Sequence, residues 1–341
     1  MAAYQQRGKR WRAIVRKKGH PPISKTFQTK GMAERWAKET ERDMEGRAFR
    51  DPRQLENLTV SDLIVRYRRE MPDQGKTKAA CLRMLEHNLG PLVLAALDKP
   101  RIIEYGRMRA SEHGAGPATV AQDLIYLRGL LETARAHWDI PVSVEAATDA
   151  RAVLRREGLV AASQERDRRP TPEELERLYA YWQRPALRNM TTPMHDVVCF
   201  AIASAMRLSE ICAIRWDDII KQDRTIVIRD RKHPTKKAGN DQTVPLLRDA
   251  WSIVQRQPRT EGEPRIFPFK PQSVSANFTR AVLRSKIDDL RFHDLRHHGI
   301  SLLFEAGYQV QEVALVSGHR DWKQLRRYTQ LEARDLHRDA P

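Results

Sequence analysis

Apolar and polar residues alternate near the start of the chain, in the segment KRWRAIVRKKGHPPISKTFQT. Trp11, Ala13 and Val15 fall on one side of an extended chain, and the basic residues between them fall mostly on the other. This pattern predicts a half-buried strand with a basic face. A turn at GHPP and a second strand at ISKTFQT follow, and the spacing of GMAERWAKETERDMEG indicates a helix. Residues 1–55 are therefore predicted to form a small β-sheet backed by one helix.

The pattern changes to helical periodicity within residues 56–155. Four segments place apolar residues three and four positions apart, and the clearest of them begins at Pro117. Thr59 or Ser61 is positioned to cap the first of these helices. Four helices of this length predict a compact four-helix bundle.

A third region, residues 171–341, follows a charged segment at residues 156–170 that we interpret as a linker. Its start has a capping-box spacing, with Thr171 three residues before Glu174. Two helices, a strand hairpin and about four more helices follow, with the hairpin strands at residues 225–229 and 242–246. The fold class is therefore predicted to be multidomain and mainly α-helical, with small β-sheets.

The charge adds a function class to this picture. The chain has 61 Lys and Arg against 44 Asp and Glu, a formal net charge of +17 and a pI near 10.1. A surface this basic favours polyanions, because each neutralised phosphate releases counterions. A solvated strand face is the alternative for the first basic segment. The candidate DNA-binding residues are Lys9, Arg10, Arg12, Arg16, Lys17, Lys18, Lys236 and Lys237.

Several classes of protein are disfavoured by what the sequence lacks. It has no run of eighteen apolar residues and no apolar segment at its N-terminus, so neither a membrane span nor export is indicated. Cys81, Cys199 and Cys212 do not form a CxxC spacing, which disfavours a disulfide framework or a zinc ribbon. We therefore expect a cytoplasmic protein. P-loop, GxGxxG and GxSxG motifs are absent from the sequence.

A metal site is the first chemical alternative. The segment FHDLRHHGIS contains His293, His297 and His298, and the first two share a helix face at i, i+4. The segment lacks the glutamate of an HExxH motif, so the support for zinc is weak. No metal and no other cofactor is expected.

The remaining polar residues suit the cleavage of a phosphodiester. Attack at phosphorus needs a nucleophile, cations on the non-bridging oxygens and an acid for the leaving oxygen. Arginine makes the best bidentate contacts with phosphate. The candidates are Arg207 on a short turn with Glu210 three residues later, Lys232 on the hairpin, His293 and Arg296 at i, i+3, His319 at the start of a predicted short helix, and Tyr328.

Three phrases in this order resemble the tyrosine recombinase (phage integrase) family: MRLSEICAIRW, FHDLRHHGIS and SGHRDWKQLRRYTQL. A basic hairpin lies between the first and the second phrase, as it does in that family. The resemblance implies an arm-type DNA-binding domain at residues 1–55 and a helical core-binding domain at residues 56–155. It implies a catalytic domain at residues 171–341.

The resemblance also implies a role for each candidate. Tyr328 would be the nucleophile and form a 3′-phosphotyrosyl bond with DNA, and Lys232 would protonate the leaving 5′-oxygen. His293 would help to take the tyrosine proton. Arg207, Arg296 and His319 would bind the non-bridging oxygens, and Glu210 would support Arg207. Lys236 and Lys237 are alternatives to Lys232, because a flexible hairpin tip can present either of them.

The family further implies double-stranded DNA with core and arm sites as the partner, a homotetramer on DNA, and DNA-bending or excision factors as accessories. A prophage or another mobile element is the expected setting. Three positions depart from the family pattern: Ala205 replaces a common glycine, Ser317 a usual leucine, and Gln330 a frequent histidine. A type IB topoisomerase, a non-catalytic DNA-binding regulator and a metal-dependent nuclease are the alternative functions.

Overall fold

The computed structural model describes residues 2–18, 22–45, 54–72, 74–187, 192–232 and 239–328. It divides the chain into two compact units, Met1–Gln164 and Glu165–Pro341. The described residues are mainly helical and contain two three-stranded sheets, which confirms the predicted fold class. In these ranges no helix is long and apolar enough to cross a membrane. Cys81, Cys199 and Cys212 are free thiols.

The N-terminal unit begins with an antiparallel sheet backed by one helix. Its strands are β1 (Ala2–Arg7), β2 (Arg10–Val15) and β3 (Ile23–Phe27), in that order, and helix α1 spans Lys30–Glu45. Strand β1 was not predicted, because its sequence AAYQQR has little apolar alternation and is ordered by pairing with β2. Of the predicted GHPP turn, residues 19–21 lie outside the described residues.

The rest of this unit is a helical bundle around one apolar core. The four predicted helices are present, but α2 and α7 were not predicted, and the four-helix count is therefore wrong. Helix α7 packs against α5 and α6. A capping box between Thr59 and Asp62 starts α3, and Pro117 lies in the first turn of α6, as predicted. The helices are α2 (Gln54–Asn57), α3 (Val60–Glu70), α4 (Lys76–Leu89), α5 (Lys99–Ser111), α6 (Pro117–His137) and α7 (Val144–Arg156).

The C-terminal unit contains seven α-helices within its described residues. The first begins with the predicted capping box between Thr171 and Glu174. The helices are α8 (Pro172–Trp182), α9 (Met194–Ser204), α10 (Leu208–Ile211), α11 (Ala250–Gln255), α12 (Pro271–Arg284), α13 (Phe292–Glu305) and α14 (Val310–Ser317).

The predicted hairpin is part of a second antiparallel sheet. Strands β5 (Thr225–Ile228) and β6 (Gln242–Pro245) pair as expected, and a two-residue strand, β4 (Ile219–Ile220), adds to the outer edge of β5. Alternate residues of β5 are buried in the apolar core. The sheet therefore holds the end of β5 at a defined place in the unit.

The predicted linker at residues 156–170 contains the boundary between the two units, which lies between residues 164 and 165. Leu159 and Val160 pack against the core of the bundle. Arg166, in the C-terminal unit, forms ion pairs with Asp294 at 2.8 Å and Asp289 at 2.6 Å. The division of the first unit at residue 55 stays a prediction.

Helices α9 and α13 approach closely, and this contact positions the segment FHDLRHHGIS. A Cβ atom on Gly299 would lie 2.2 Å from the backbone oxygen of Ile202, so only glycine allows this packing. The approach brings the first half of α13 to the end of α9, where Ala205 follows.

Candidate active site

Arg207 stands at the start of helix α10, as the sequence predicted. Its Nη1 donates to Glu210 Oε1 at 2.6 Å, and its backbone N–H donates to Glu210 Oε2 at 3.1 Å. Ala205, two residues before Arg207, has φ +50° and ends α9 in the left-handed conformation. A glycine suits that conformation better, so the alanine keeps the turn at a cost of roughly 1 kcal/mol.

Arg296 is held by backbone oxygens. It lies on α13, is 3% exposed, and donates to Ala205 O at 2.6 Å and to Ser317 O at 2.7 Å. These two carbonyls lie at the C-terminal ends of different helices, α9 and α14, so one guanidinium joins the two segments. Burial, followed by repulsion from Arg207, lowers the pKa of Arg296.

His319 lies in the loop after α14, and the prediction that it begins a helix is wrong. Gly318 ends the helix in the left-handed conformation, with φ +71°. Ser317, one of the departures from the family pattern, is fully buried, and its Oγ lies 2.8 Å from His319 Nδ1. This contact restricts the orientation of the imidazole ring. Burial, assisted by Arg296 and Arg207, lowers the pKa of His319 to about 3.

Tyr328 ends a 3₁₀ helix, Trp322–Tyr328, and its hydroxyl is hydrogen-bonded to His297 Nδ1. The two rings are stacked, with centroids 5.8 Å apart. Burial, followed by His293, lowers the pKa of His297 to about 4, so its imidazole is neutral at pH 7 and can accept the phenol hydrogen. Burial raises the pKa of Tyr328, whereas Arg327 and Arg296 act in the opposite direction.

His293 occupies a different place from the one its predicted role suggests. It is exposed at the start of α13 and contacts the His297 ring edge-on, with centroids 4.8 Å apart. The described partner of the Tyr328 hydroxyl is His297, which the sequence singled out only as a weak metal-ligand candidate. The i, i+4 spacing of the two histidines was a signal of proximity, but it could not reveal the tyrosine.

The hairpin places Lys232 beside a buried arginine that the sequence did not single out. Lys232 is exposed, whereas Arg231 is 4% exposed and lies 3.5 Å from the Glu210 carboxylate. Lys236 and Lys237 lie outside the described residues. In a segment as basic as RDRKHPTKK, composition could not separate the buried cation from the exposed ones.

Two guanidinium groups, those of Arg207 and Arg231, therefore contact one buried carboxylate, and the charge of Arg296 acts on it as well. Burial acts to raise the pKa of Glu210, but Arg231, Arg207 and Arg296 outweigh it and hold that pKa below its ordinary value. The cluster retains an excess of positive charge in a partly desolvated place. Such an arrangement suits an anion with several oxygens, as a phosphodiester has.

The basic residues of the first sheet lie in another part of the chain. Ala13 and Val15 of β2 are buried against α1, so the alternating Arg10 and Arg12 occupy the opposite face. Arg7 pairs with Arg10 across the strands and shares that face. Of the other candidates, Lys9, Arg16 and Lys18 are exposed and Lys17 is half-buried.

The histidines of the metal alternative have other partners. His297 is bonded to Tyr328, and Arg169 donates to His298 at 3.3 Å. Across residues 2–18, 22–45, 54–72, 74–187, 192–232 and 239–328, no three His, Cys, Asp or Glu side chains are grouped as metal ligands.

Comparisons with known proteins all identify integrases and recombinases as similar to this chain. Residues 168–334 match the model of the phage integrase family. The chain is 33% identical over 224 residues to a shufflon-specific DNA recombinase of Escherichia coli, across 64% of this chain and 52% of that protein. It is 28% identical over 336 residues to a putative integrase/recombinase of Haemophilus influenzae, across 94% of this chain and 85% of that one. The chain thus spans about half the length of the first relative.

The fold has counterparts among solved structures. A lambda integrase tetramer bound to a Holliday junction superposes with a TM-score of 0.62 at 16% identity, covering 98% of both chains. At this level of identity the likeness concerns the fold.

Proposed function

The chain belongs to the phage integrase family of tyrosine recombinases, and we propose that it is a site-specific DNA recombinase that cleaves DNA with Tyr328. The observation that supports this most directly is that the structure brings the candidate arginines, histidine and tyrosine together. Arg296 donates to Ser317 O at the end of α14, next to the loop of His319, and Arg207 pairs with Glu210 of the same cluster. The charges of Arg296 and Arg207 act on His319, and that of Arg296 also acts on Tyr328.

The proposed reaction is a transfer at phosphorus. Tyr328 Oη attacks the scissile phosphate, the Oη–P bond forms and the bond from phosphorus to the 5′-oxygen breaks. The product is a 3′-phosphotyrosyl linkage and a free 5′-hydroxyl. Arg207, Arg296 and His319 bind the non-bridging oxygens, and an anion bound there would oppose the lowering of the His319 pKa.

The two protons of this step have separate carriers. The Tyr328 proton passes to His297, to which the hydroxyl is bonded, and His293 assists through its contact with that ring. Lys232 protonates the leaving 5′-oxygen. A general acid or base typically contributes about 10²–10⁴-fold to a rate.

The covalent linkage preserves the energy of the broken phosphodiester, so a second 5′-hydroxyl can reseal the strand without ATP. Exchange between two duplexes passes through a Holliday junction and requires four active sites, which suggests a homotetramer. Core sites would bind the C-terminal unit and the bundle, and arm sites the basic sheet, with DNA-bending or excision factors as accessories. The proposed substrate is the DNA of a prophage or another mobile element, and the proposed location of the protein is the cytoplasm.

The test is a covalent trap. Direct repeats in the DNA that flanks the coding sequence supply candidate sites. A duplex nicked near the cleavage position releases the short fragment that bears the new 5′-hydroxyl and retains the adduct. The protein should form a denaturant-resistant adduct in the presence of EDTA. Tyr328→Phe should form none and bind the duplex unchanged, whereas Tyr308→Phe should match the wild type. A covalent adduct with Tyr328→Phe would refute the assignment.

The same duplex and protein variants, with a supercoiled plasmid, distinguish the three alternative functions. A type IB topoisomerase would relax supercoiled plasmid that lacks the site. A metal-dependent nuclease would lose its activity in EDTA. A non-catalytic regulator would bind the duplex and form no adduct.

A further inference from the structure

Arg231 differs from the other basic residues of its hairpin. It precedes Lys232 directly, and its backbone N–H donates to Asn240 O across the hairpin at 2.9 Å. Arg229, two residues earlier, has a side chain that is 52% exposed and paired with Asp218, whereas the Arg231 side chain is 3% exposed. Burying a cation is costly unless its donors are satisfied, so the surroundings of Arg231 must supply partners.

Those partners come from three separate segments. Arg231 Nη2 donates to Val316 O at 2.8 Å, and Nη1 donates to Gln242 Oε1 at 2.9 Å and to Leu315 O at 3.3 Å. The Glu210 carboxylate lies 3.5 Å away. One side chain thus joins the hairpin, the end of α14 and the acid that supports Arg207.

The end of α14 is a natural place for these cations. The last carbonyls of a helix lack partners within the helix and have a partial negative charge. Arg231 binds those of Leu315 and Val316, and Arg296 binds that of Ser317. Two arginines therefore hold the three residues before Gly318 and His319.

Gly318 completes this arrangement. A Cβ atom at this position would lie 2.4 Å from Arg231 Cζ, and the residue has φ +71°. The loop before His319 thus lies directly on the guanidinium plane. A side chain there would push the loop and the arginine apart.

We propose that Arg231 is a positioning residue that fixes the hairpin segment of Lys232 relative to the loop of His319. The proposal rests on the proposed function, because it concerns the alignment of the group that protonates the leaving oxygen with the groups that bind the phosphate. Arg231 acts through these neighbours and does not itself contact DNA.

The consequence for the reaction is specific. Loss of Arg231 frees the segment before Lys232 from α14, so the acid no longer meets the 5′-oxygen correctly. A misplacement of about 1 Å can cost about 10²-fold in rate. A leaving group that needs no proton should recover a large part of this loss.

The experiment uses two versions of the trapping duplex, one ordinary and one with sulfur in place of the 5′-oxygen at the scissile phosphate. With sulfur, the P–S bond breaks and a thiolate leaves without an acid, because a thiol has a pKa of about 8.5. Rates of adduct formation are measured at saturating DNA for the wild type, Arg231→Met, Lys232→Ala and Arg296→Lys. Arg229→Met is the matched control on the same hairpin.

Arg231→Met should slow cleavage of the ordinary duplex by about 10²-fold and cleavage of the sulfur duplex by less than about tenfold. Lys232→Ala should show the same pattern. Arg296→Lys should be slow on both duplexes, and Arg229→Met should match the wild type on both. Equal losses of Arg231→Met on the two duplexes, or no loss on either, would overturn the proposal.

A second variant covers the case in which Arg231→Met does not fold. Arg231→Lys keeps the charge but lacks the planar fork that reaches two carbonyls. It should show the same preference for the sulfur duplex, and the absence of that preference would overturn the proposal. A wild-type protein that forms no adduct on either duplex would contradict the proposed function instead.

Discussion

The sheet of the N-terminal unit and the sheet of the C-terminal unit are both antiparallel, with three strands in chain order. Both contain arginines in their middle strand or at its end. In the first sheet, Arg10 and Arg12 lie on the face opposite the helix. In the second, Arg231 is buried against the end of α14 and a shared carboxylate.

The difference shows that arginine has two physical roles in this chain, one on an exposed face and one in a buried cluster. An exposed arginine remains hydrated, and its attraction to DNA is additive and screened by salt. A buried arginine must have fixed partners, so it constrains the backbone around it. The predictions below test this contrast, beginning with the largest expected effect.

Glu210 should be the most sensitive position for stability. Glu210→Ala leaves the buried guanidiniums without their counter-charge, and we expect it to lower the free energy of unfolding by about 3–5 kcal/mol. Urea titration measures this, with Glu145→Ala as the control. Glu145 pairs with Arg135 in an exposed ion pair, which should be worth at most about 1 kcal/mol.

The difference in the free energy of unfolding between the wild type and Glu210→Ala should depend on pH, and the sign follows from the pKa of Glu210. The pKa of Glu210 is lowered on folding, so the folded state binds its proton less tightly than the unfolded state. Its stabilising contribution is complete above the unfolded pKa of about 4.3. It is lost as the pH falls through the lower folded value, so the two proteins should converge in acid.

Arg296→Lys should slow adduct formation by about 10²–10³-fold, since a lysine cannot bind Ala205 O, Ser317 O and a phosphate together. Single-turnover rates on the trapping duplex measure the effect. Arg265→Lys, at a partly exposed ion pair with Glu263 in the same unit, should have no effect. Equal rates for the two variants would contradict the contrast between buried and exposed arginines.

His297→Phe should slow adduct formation by about 10²-fold, the lower end of the range for general bases, because the low pKa of His297 makes it a weak base. The phenyl ring retains the stacking on Tyr328 and removes the acceptor. His298→Phe, at the next residue, tests whether replacing an imidazole by a phenyl ring in α13 is harmful in itself. If both variants keep the wild-type rate, the tyrosine proton has another acceptor.

Arg12→Ala should have the smallest effect, a several-fold loss of affinity for duplex DNA with arm sites. The slope of log K against log salt should fall by about 1, as for the loss of one phosphate contact. Fluorescence anisotropy at several salt concentrations measures both quantities. Lys25→Ala, on the face that holds Ala13, should leave the slope unchanged.

Much of the fold was visible in local patterns. The caps at Thr59 and Thr171, the proline starts and the long apolar stripes predicted helices that the structure contains. The elements that were missed are β1, the two-residue β4 and helices α2 and α7. Pairing with a neighbouring strand orders β1 and β4, and the apolar pattern of their own sequences does not contain that information. Helix α7 has a local signal, the Ser143 cap and a buried apolar stripe, that the sequence prediction did not use.

For the site, the sequence by itself determined the candidate groups: a tyrosine, two arginines and a histidine in the order of the phage integrase family, in a strongly basic chain. Only the tertiary structure decided which groups meet. It bonded Tyr328 to His297 instead of His293, moved His319 from a helix start to a loop, and distinguished Arg231 from its basic neighbours. The physical reason is that motif order specifies residue types, whereas hydrogen-bond partners and burial depend on segments that are distant in sequence and close in space.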